Sequence, residues 1–171
     1  FLTRATDLEH LLNMVSELFE TMLQVQRQWI YLENIFTRSG DISIQLPKEC
    51  ESFSIVNNQF KRTMETLKRK TKVKAIILCD DIKVSDLIWM LSQMEAIQSS
   101  LNEYLESKRG SFSRFYFVSD DDLLEMIGNS NQPLTLQKFM KKCFEGVNSL
   151  LIEKDDEGKK HFIVGVKSAD G

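Results

Sequence analysis

Three consecutive aspartates, Asp120 to Asp122, are the residues of this chain with the clearest potential for metal chemistry. Clustered carboxylate oxygens are the ligands that Ca²⁺ and Mg²⁺ prefer. The run nevertheless lacks the alternating ligands, central glycine and final glutamate of a calcium-binding loop. Ser119 stands immediately before it, and a serine followed by acidic residues is typical of the first turn of a helix, where negative charge is favourable. We therefore expect the aspartates to begin a helix, and we expect no metal and no cofactor in this chain.

Histidine and cysteine give little support for an enzyme. His10 and His161 lie at opposite ends of the chain, and neither has a carboxylate or cysteine at the spacing of a helix-borne zinc site. Cys143 could approach His161 in the fold, but a cysteine on the apolar face of a helix is far more often an inert core residue than a nucleophile. Gly158 and Lys159 lack the preceding glycine and the following hydroxyl residue of a phosphate-binding loop. We predict no catalytic, cofactor-binding or metal-ligating residue.

Composition and charge are those of an ordinary globular protein. The 171 residues are 42% hydrophobic, which is enough for one sizeable core or two small ones. A membrane span requires about 18 consecutive apolar residues, and no stretch of this chain comes close to that length. The first residues lack the pattern of a signal peptide. We therefore expect no membrane association, and a cytosolic protein or an interior piece of one. The basic run from Lys61 to Lys74 is not interleaved with aromatic residues, as base stacking would require, so we expect no nucleic-acid partner.

Apolar spacing predicts a mainly α fold. From Leu8 to Phe36 apolar residues recur in alternating steps of three and four, which is a heptad pattern. The last residues read as two apolar runs around an acidic, glycine-bearing turn, which is typical of a β-hairpin. We predict an elongated bundle of long heptad-patterned helices with a C-terminal β-hairpin, in one segment without a linker. The predicted elements are helices at 8–36, 47–70, 85–109, 119–127 and 134–148, an extended aromatic segment at 111–118, and a hairpin at 149–167.

The aromatic segment is the part of the chain that these helix patterns do not explain. Consecutive aromatics without helical spacing favour an extended backbone after Gly110, and they could either wedge between helices or form an exposed surface. Arg114 lies among them and requires a carboxylate, a carbonyl or a ring face as partner; we expect an acid of this chain, with an acid on a partner surface as the second choice. We hypothesise that this segment is a hinge or a docking surface. Its candidate residues are Gly110, Phe112, Arg114, Phe115, Tyr116 and Phe117.

Several long blocks of the sequence carry a family resemblance. YLESKRGSFSRFYFVSDDDLLEMIGNS, at 104–130, resembles the signature of the linker domain of dynein heavy chains, where a Tyr-Leu-Glu helix end precedes a Phe-Pro-Arg-Phe-Tyr-Phe run and an acidic, leucine-rich helix. VQRQWIYLENIFTRSGDI with LPKE resembles the upstream block of that family, and LQKFMKKCFEGVNSLL followed by FIVGVKSADG resembles the downstream helix and hairpin. The resemblance covers 19–171, is closer to cytoplasmic than to axonemal dyneins, and departs from the family at Ser113, where proline is usual and where serine leaves the backbone less constrained.

The resemblance implies a mechanical function. In dyneins the linker lies across a ring of AAA+ modules, bends when the first module binds ATP, and straightens to deliver the power stroke toward the microtubule minus end. It implies that this chain contacts the AAA+ ring of its own heavy chain and that ATP and magnesium bind in that ring. The full-length protein is then expected to be a cytoplasmic, cytoskeleton-associated ATPase that works with microtubules, as a heavy-chain homodimer with accessory chains. A helical scaffold or adaptor that binds protein partners is the alternative, and an enzyme is the least favoured class.

Overall fold

The structure is a computed structural model and describes residues 2–38, 40–70, 72–77, 82–130, 132–155 and 161–168. Its helices are α1 (Leu2–Arg38), α2 (Gly40–Gln45), α3 (Pro47–Arg69), α4 (Val73–Ile77), α5 (Val84–Ser111), a short 3₁₀ helix (Ser113–Phe117), α6 (Asp120–Gly128) and α7 (Pro133–Cys143). The strands β1 (Val147–Lys154) and β2 (His161–Ser168) follow. The predicted mainly α fold with a C-terminal hairpin is confirmed. Among the described residues, none of the helices combines the length and the apolar character needed to cross a bilayer.

The chain divides into two compact units, and the first consists of Phe1–Asn34 and Lys48–Ser99. Its core draws on the heptad positions of the three long helices, including Leu18, Val25, Leu32, Phe53, Val56, Phe60, Leu87, Met90 and Met94. Trp29 of α1 stacks on Phe60 of α3 with ring centroids 4.7 Å apart, and its Nε1 donates to Asn57 Oδ1 at 3.0 Å. Gln98, the one polar residue in the apolar pattern of α5, accepts from Gln28 Nε2 at 2.5 Å. A polar residue inside this pattern is thus satisfied by a matching side chain on the facing helix.

The beginning of α1 is much more exposed than its later turns. Leu8 and Leu12 are 55% and 58% exposed, whereas Val25 and Leu32 are fully buried. The heptad pattern therefore predicts the helix correctly along its whole length. The burial that the pattern implies is observed only from about Leu18 onward.

The second unit consists of Ile35–Pro47 and Ser100–Gly171. Its core gathers buried side chains from α2, α5, α6, α7 and β1 and from the loop before α6, among them Ile42, Leu101, Leu105, Val118, Leu123, Leu124, Phe139, Cys143 and Leu150. Helix α6 packs against α2 and α7, and α7 packs against β1 and the 3₁₀ helix. The strands pair antiparallel, from Val147 opposite Ser168 to Lys154 opposite His161, with two irregularities, one between Val147 and Ser149 and one between Leu151 and Ile152.

Two predicted elements are wrong, each for an identifiable reason. The segment 111–118 is extended only at Phe112 and Val118: α5 continues through Gly110 to Ser111, and Ser113–Phe117 forms a 3₁₀ helix, in which the N–H of Phe115 donates to Phe112 O and the N–H of Val118 donates to Phe115 O. The helix predicted for 134–148 ends at Cys143, because β1 begins at Val147 and pairs with β2, a long-range contact that overrides the local helical spacing. Helix α2 is an additional element in a stretch for which no helix is predicted.

Candidate docking site

The aromatic junction, residues 110–118, joins α5 to α6 and holds every predicted candidate residue. Phe117 and Tyr116 are its most exposed aromatic side chains, at 72% and 60%, and Phe112 is 40% exposed. Phe115 is half-buried and meets the ring of Phe112 edge-on, with centroids 4.9 Å apart. The junction therefore divides into an inner pair of rings that packs and an outer pair, Tyr116 and Phe117, that faces outward.

Gly110 lies in the last turn of α5. A Cβ placed on it would meet nothing within 4 Å, so there is room for a larger side chain and no close contact requires a glycine there. The helix runs unbroken through the position and ends at the next residue, Ser111. Gly110 therefore has no local feature that favours bending beyond the absence of its side chain.

Arg109 ties the two ends of the junction together. Its Nη2 donates to the backbone oxygen of Val118 at 3.2 Å and to Asp120 Oδ1 at 2.5 Å, and its Nη1 donates to Glu106 Oε1 at 2.8 Å. The hydrogen bonds that Arg109 donates to Asp120 and then to Glu106 raise the pKa of Arg109 above its ordinary value. The side chain is only 12% exposed, although both carboxylates are open to solvent. One guanidinium thus fixes the end of α5, the exit of the junction and the start of α6.

Arg114 ties the junction to the end of α7, but not through an acid as predicted. Its Nη1 donates to the backbone oxygen of Cys143 at 3.2 Å, and its guanidinium carbon lies 4.9 Å from the centroid of the Phe144 ring. A cation beside the last carbonyls of a helix is favourable, because those carbonyls carry partial negative charge. Among the residues that the structure describes, no acid pairs with Arg114, and a carbonyl with a ring face stands where an acid of this chain was expected.

Beneath Arg114, the thiol of Cys143 is a core group. The side chain is buried, and burial raises the pKa of the thiol, which the positive charge of Arg114 only partly offsets. A thiol kept protonated in this way is a poor nucleophile.

The aspartates open α6, as the sequence predicts. Ser119 is the N-cap: its Oγ accepts from the backbone N–H of Asp122 at 3.3 Å and donates to Asp122 Oδ2 at 2.8 Å. Asp122 also receives Lys142 Nζ of α7 at 2.5 Å, and Glu125 pairs with Lys138 one turn further along. The hydrogen bonds from Lys142 and then Ser119 lower the pKa of Asp122 below its ordinary value. The acidic side of α6 is therefore used to hold α7.

A cleft of about 570 Å³ opens beside the junction, between Arg114 and the end of α7. It is lined by Arg114, Phe117, Lys141, Lys142, Cys143, Glu145, Val147 and Asn148. Only Arg114 and Phe117 are among the predicted candidates. The other residues were not found from the sequence because the predicted helix ran through them to 148. The signal that could have indicated the cleft is Lys141 and Lys142 at the end of an apolar helix pattern, followed closely by Gly146.

Known proteins resemble this chain along its whole length. The family model described as dynein heavy chain, N-terminal region 2, matches residues 1–171. The Dynein-1-beta heavy chain of the flagellar inner arm I1 complex of Chlamydomonas reinhardtii is 44% identical over 95% of this chain, and the cytoplasmic dynein heavy chain of Neurospora crassa is 41% identical over all of it. The human Cytoplasmic dynein 2 heavy chain 1 is 40% identical over 95% of this chain. Each of these matches covers 4% of the relative.

Flagellar and cytoplasmic relatives thus match at similar identity, and the chain corresponds to a small part of each of them. The matched region includes the aromatic junction, the helices on both sides of it and the hairpin. The chain therefore belongs to the dynein heavy chain family, in which it corresponds to N-terminal region 2.

Proposed function

We propose that this chain is a non-catalytic mechanical linker of a microtubule-based, minus-end-directed dynein motor. It bends and straightens across the AAA+ ring of its own heavy chain and so converts ATP-driven changes of the ring into a power stroke. The observation that carries the proposal is the match of the whole chain to the dynein heavy chain N-terminal region. Stiff elements also support it: α1 has 37 residues, or about 55 Å at the usual rise per residue, and α5 has 28.

We assign the ATPase activity of the proposed motor to other parts of the heavy chain. We propose that ATP and magnesium bind in the AAA+ ring and that the full-length protein acts on microtubules, as a homodimer with accessory chains, in the cytoplasm and on the cytoskeleton. The relatives, which include flagellar and cytoplasmic dynein heavy chains, support this setting. This chain alone should then show no ATP turnover, and turnover by the purified 171-residue chain would count against a purely mechanical role.

Between a hinge and a docking surface, the geometry of the aromatic junction favours docking. Arg109 and Arg114 hold the junction against α6 and α7, whereas Tyr116 and Phe117 project from it. Exposed aromatic side chains on a rigid support are typical of the residues that dominate protein interfaces. We therefore propose that Tyr116 and Phe117 contact the ring in one state of the motor cycle.

Alanine substitution of the outer rings tests this proposal in the full-length heavy chain. The double variant Tyr116→Ala and Phe117→Ala should lower microtubule gliding velocity several-fold while ATP turnover continues, because the ring would cycle without moving the lever fully. Phe162→Ala is a matched control, since this aromatic ring of β2 is likewise exposed, at 50%, but lies outside the junction. A double variant with normal velocity at normal ATP turnover would exclude docking through these rings, and a scaffold that only binds partners predicts that result.

A further inference from the structure

The cleft beside the aromatic junction has a surplus of positive charge. Arg114, Lys141 and Lys142 line it, against the single acid Glu145. The positive charge of Lys142 is partly neutralised by its ion pair with Asp122, which does not line the cleft. Within the described part of the chain, Lys141 and Arg114 have no such carboxylate.

Helix electrostatics explain only part of this charge. Lys141 and Lys142 are in the last turn of α7, where cations are favourable. Arg114 comes from a different element, and its described hydrogen bond to Cys143 uses one of the five N–H donors of a guanidinium. The remaining donors, together with Lys141, are suited to a carboxylate, which Arg can bind through two parallel hydrogen bonds.

The cleft also offers an apolar surface next to its cations. Phe117, which is 72% exposed, and the half-buried Val147 both line it. A ligand that uses the whole lining must therefore carry a negative charge close to an apolar group. Nucleic acid fits this less well, because a phosphate backbone needs cations along an extended track, whereas these are confined to one cleft.

We propose that this cleft binds an acidic polypeptide segment in which an aromatic or aliphatic side chain lies next to Asp or Glu. The carboxylate binds Arg114 and Lys141, and the apolar side chain packs on Phe117. Asn148, which is exposed at the edge of the cleft, is placed to hydrogen-bond the backbone of the segment. This binding depends on the charge and shape of the cleft alone, so it stands whether or not the chain acts as a lever.

A photoreactive peptide tests the proposal on the full-length heavy chain. The probe is Gly-Asp-Glu-X-Asp-Gly, where X is benzoylphenylalanine, and its control has Asn and Gln in place of Asp and Glu. After irradiation, mass spectrometry should find adducts of the acidic probe on the cleft residues, such as Phe117 or Asn148, and few adducts of the neutral control. Equal labelling by both peptides, or absence of adducts from the cleft, would overturn the proposal.

Charge variants of the same heavy chain complete the test. Lys141→Gln, at an exposed position where folding is not at risk, and Arg114→Gln should each lower cleft labelling, and together by about tenfold, since charge-assisted hydrogen bonds are strong enough for that factor. Arg114→Lys should retain part of the labelling. Lys167→Gln, which removes an equally exposed charge of β2 outside the cleft, should leave it unchanged. Labelling that is insensitive to Arg114 and Lys141 would refute the proposed contacts.

Discussion

At the scale of single residues, three charged side chains determine how the junction is held. Arg109 closes its two ends, Arg114 attaches it to the end of α7, and Asp122 receives Lys142 from α7. The sequence analysis singles out Arg114 and the aspartate run, but it predicts neither the contact of Arg114 with α7 nor the pairing of Asp122 with Lys142. The Ser119 cap is predictable because its partner is three residues away, whereas Cys143 lies 29 residues from Arg114 and no pattern in the chain specifies that contact.

The pKa of Asp122 predicts how stability depends on pH. Since its pKa is lower in the folded chain, the ionised carboxylate contributes stability above the ordinary aspartate pKa of about 3.9, and the contribution is lost as pH falls through the lower folded value. Asp122→Asn should therefore lower the free energy of unfolding near neutral pH, by at most about 1 kcal/mol because Lys142 is half-exposed. Thermal unfolding across pH should show this difference shrinking in acid. Asp121→Asn, at an exposed neighbour in the same turn, is the control and should show less effect at every pH.

Substitution of Arg109 should lower the stability of the chain more than substitution of an ordinary surface charge. Arg109→Gln removes the ion pairs to Asp120 and Glu106 and leaves the Val118 carbonyl without this donor, so unfolding should become easier by about 1 to 2 kcal/mol. Lys108→Gln is the matched control, because that neighbouring cation lies over the ring of Tyr104 in the same helix, 5.0 Å from the centroid, and no contact among the described residues joins it to another element. Equal unfolding midpoints for the two variants in denaturant would contradict the account of Arg109.

At the scale of elements, the chain is predictable where local pattern and tertiary packing agree. The heptad spacing of α1, α3 and α5 predicts these helices because the same positions form the core of the first unit. The prediction is wrong where a distant partner decides the structure. β1 begins at Val147, where β2 pairs with it, and the aromatic junction forms a 3₁₀ helix between two ends that Arg109 joins by hydrogen bonds.

Gly110 supplies a test of the hinge hypothesis at this scale. Because Gly110 lies in a helix with free space around it, Gly110→Ala should stabilise the chain by about 0.5 to 1 kcal/mol and leave motor velocity unchanged. Gly165→Ala is a contrasting control: a Cβ there would lie 3.3 Å from Leu151 Cδ1 in the hairpin, so that variant should be neutral or destabilised. Thermal unfolding gives the first comparison and microtubule gliding the second. A marked loss of velocity in Gly110→Ala would instead support bending at this position.

At the scale of the whole molecule, the central proposal is that this chain moves relative to the AAA+ ring of its heavy chain during the ATP cycle. Its stiff helices and its rigidly supported aromatic surface suit a lever that docks and releases. The most direct measurement is energy transfer between a donor attached at Glu9, an exposed position on α1, and an acceptor on the AAA+ ring of the full-length heavy chain. We expect the transfer efficiency to change between the nucleotide-free and ATP-bound states and to change less when Tyr116 and Phe117 are alanine. A transfer efficiency that stays constant throughout the cycle in an active motor would contradict the account.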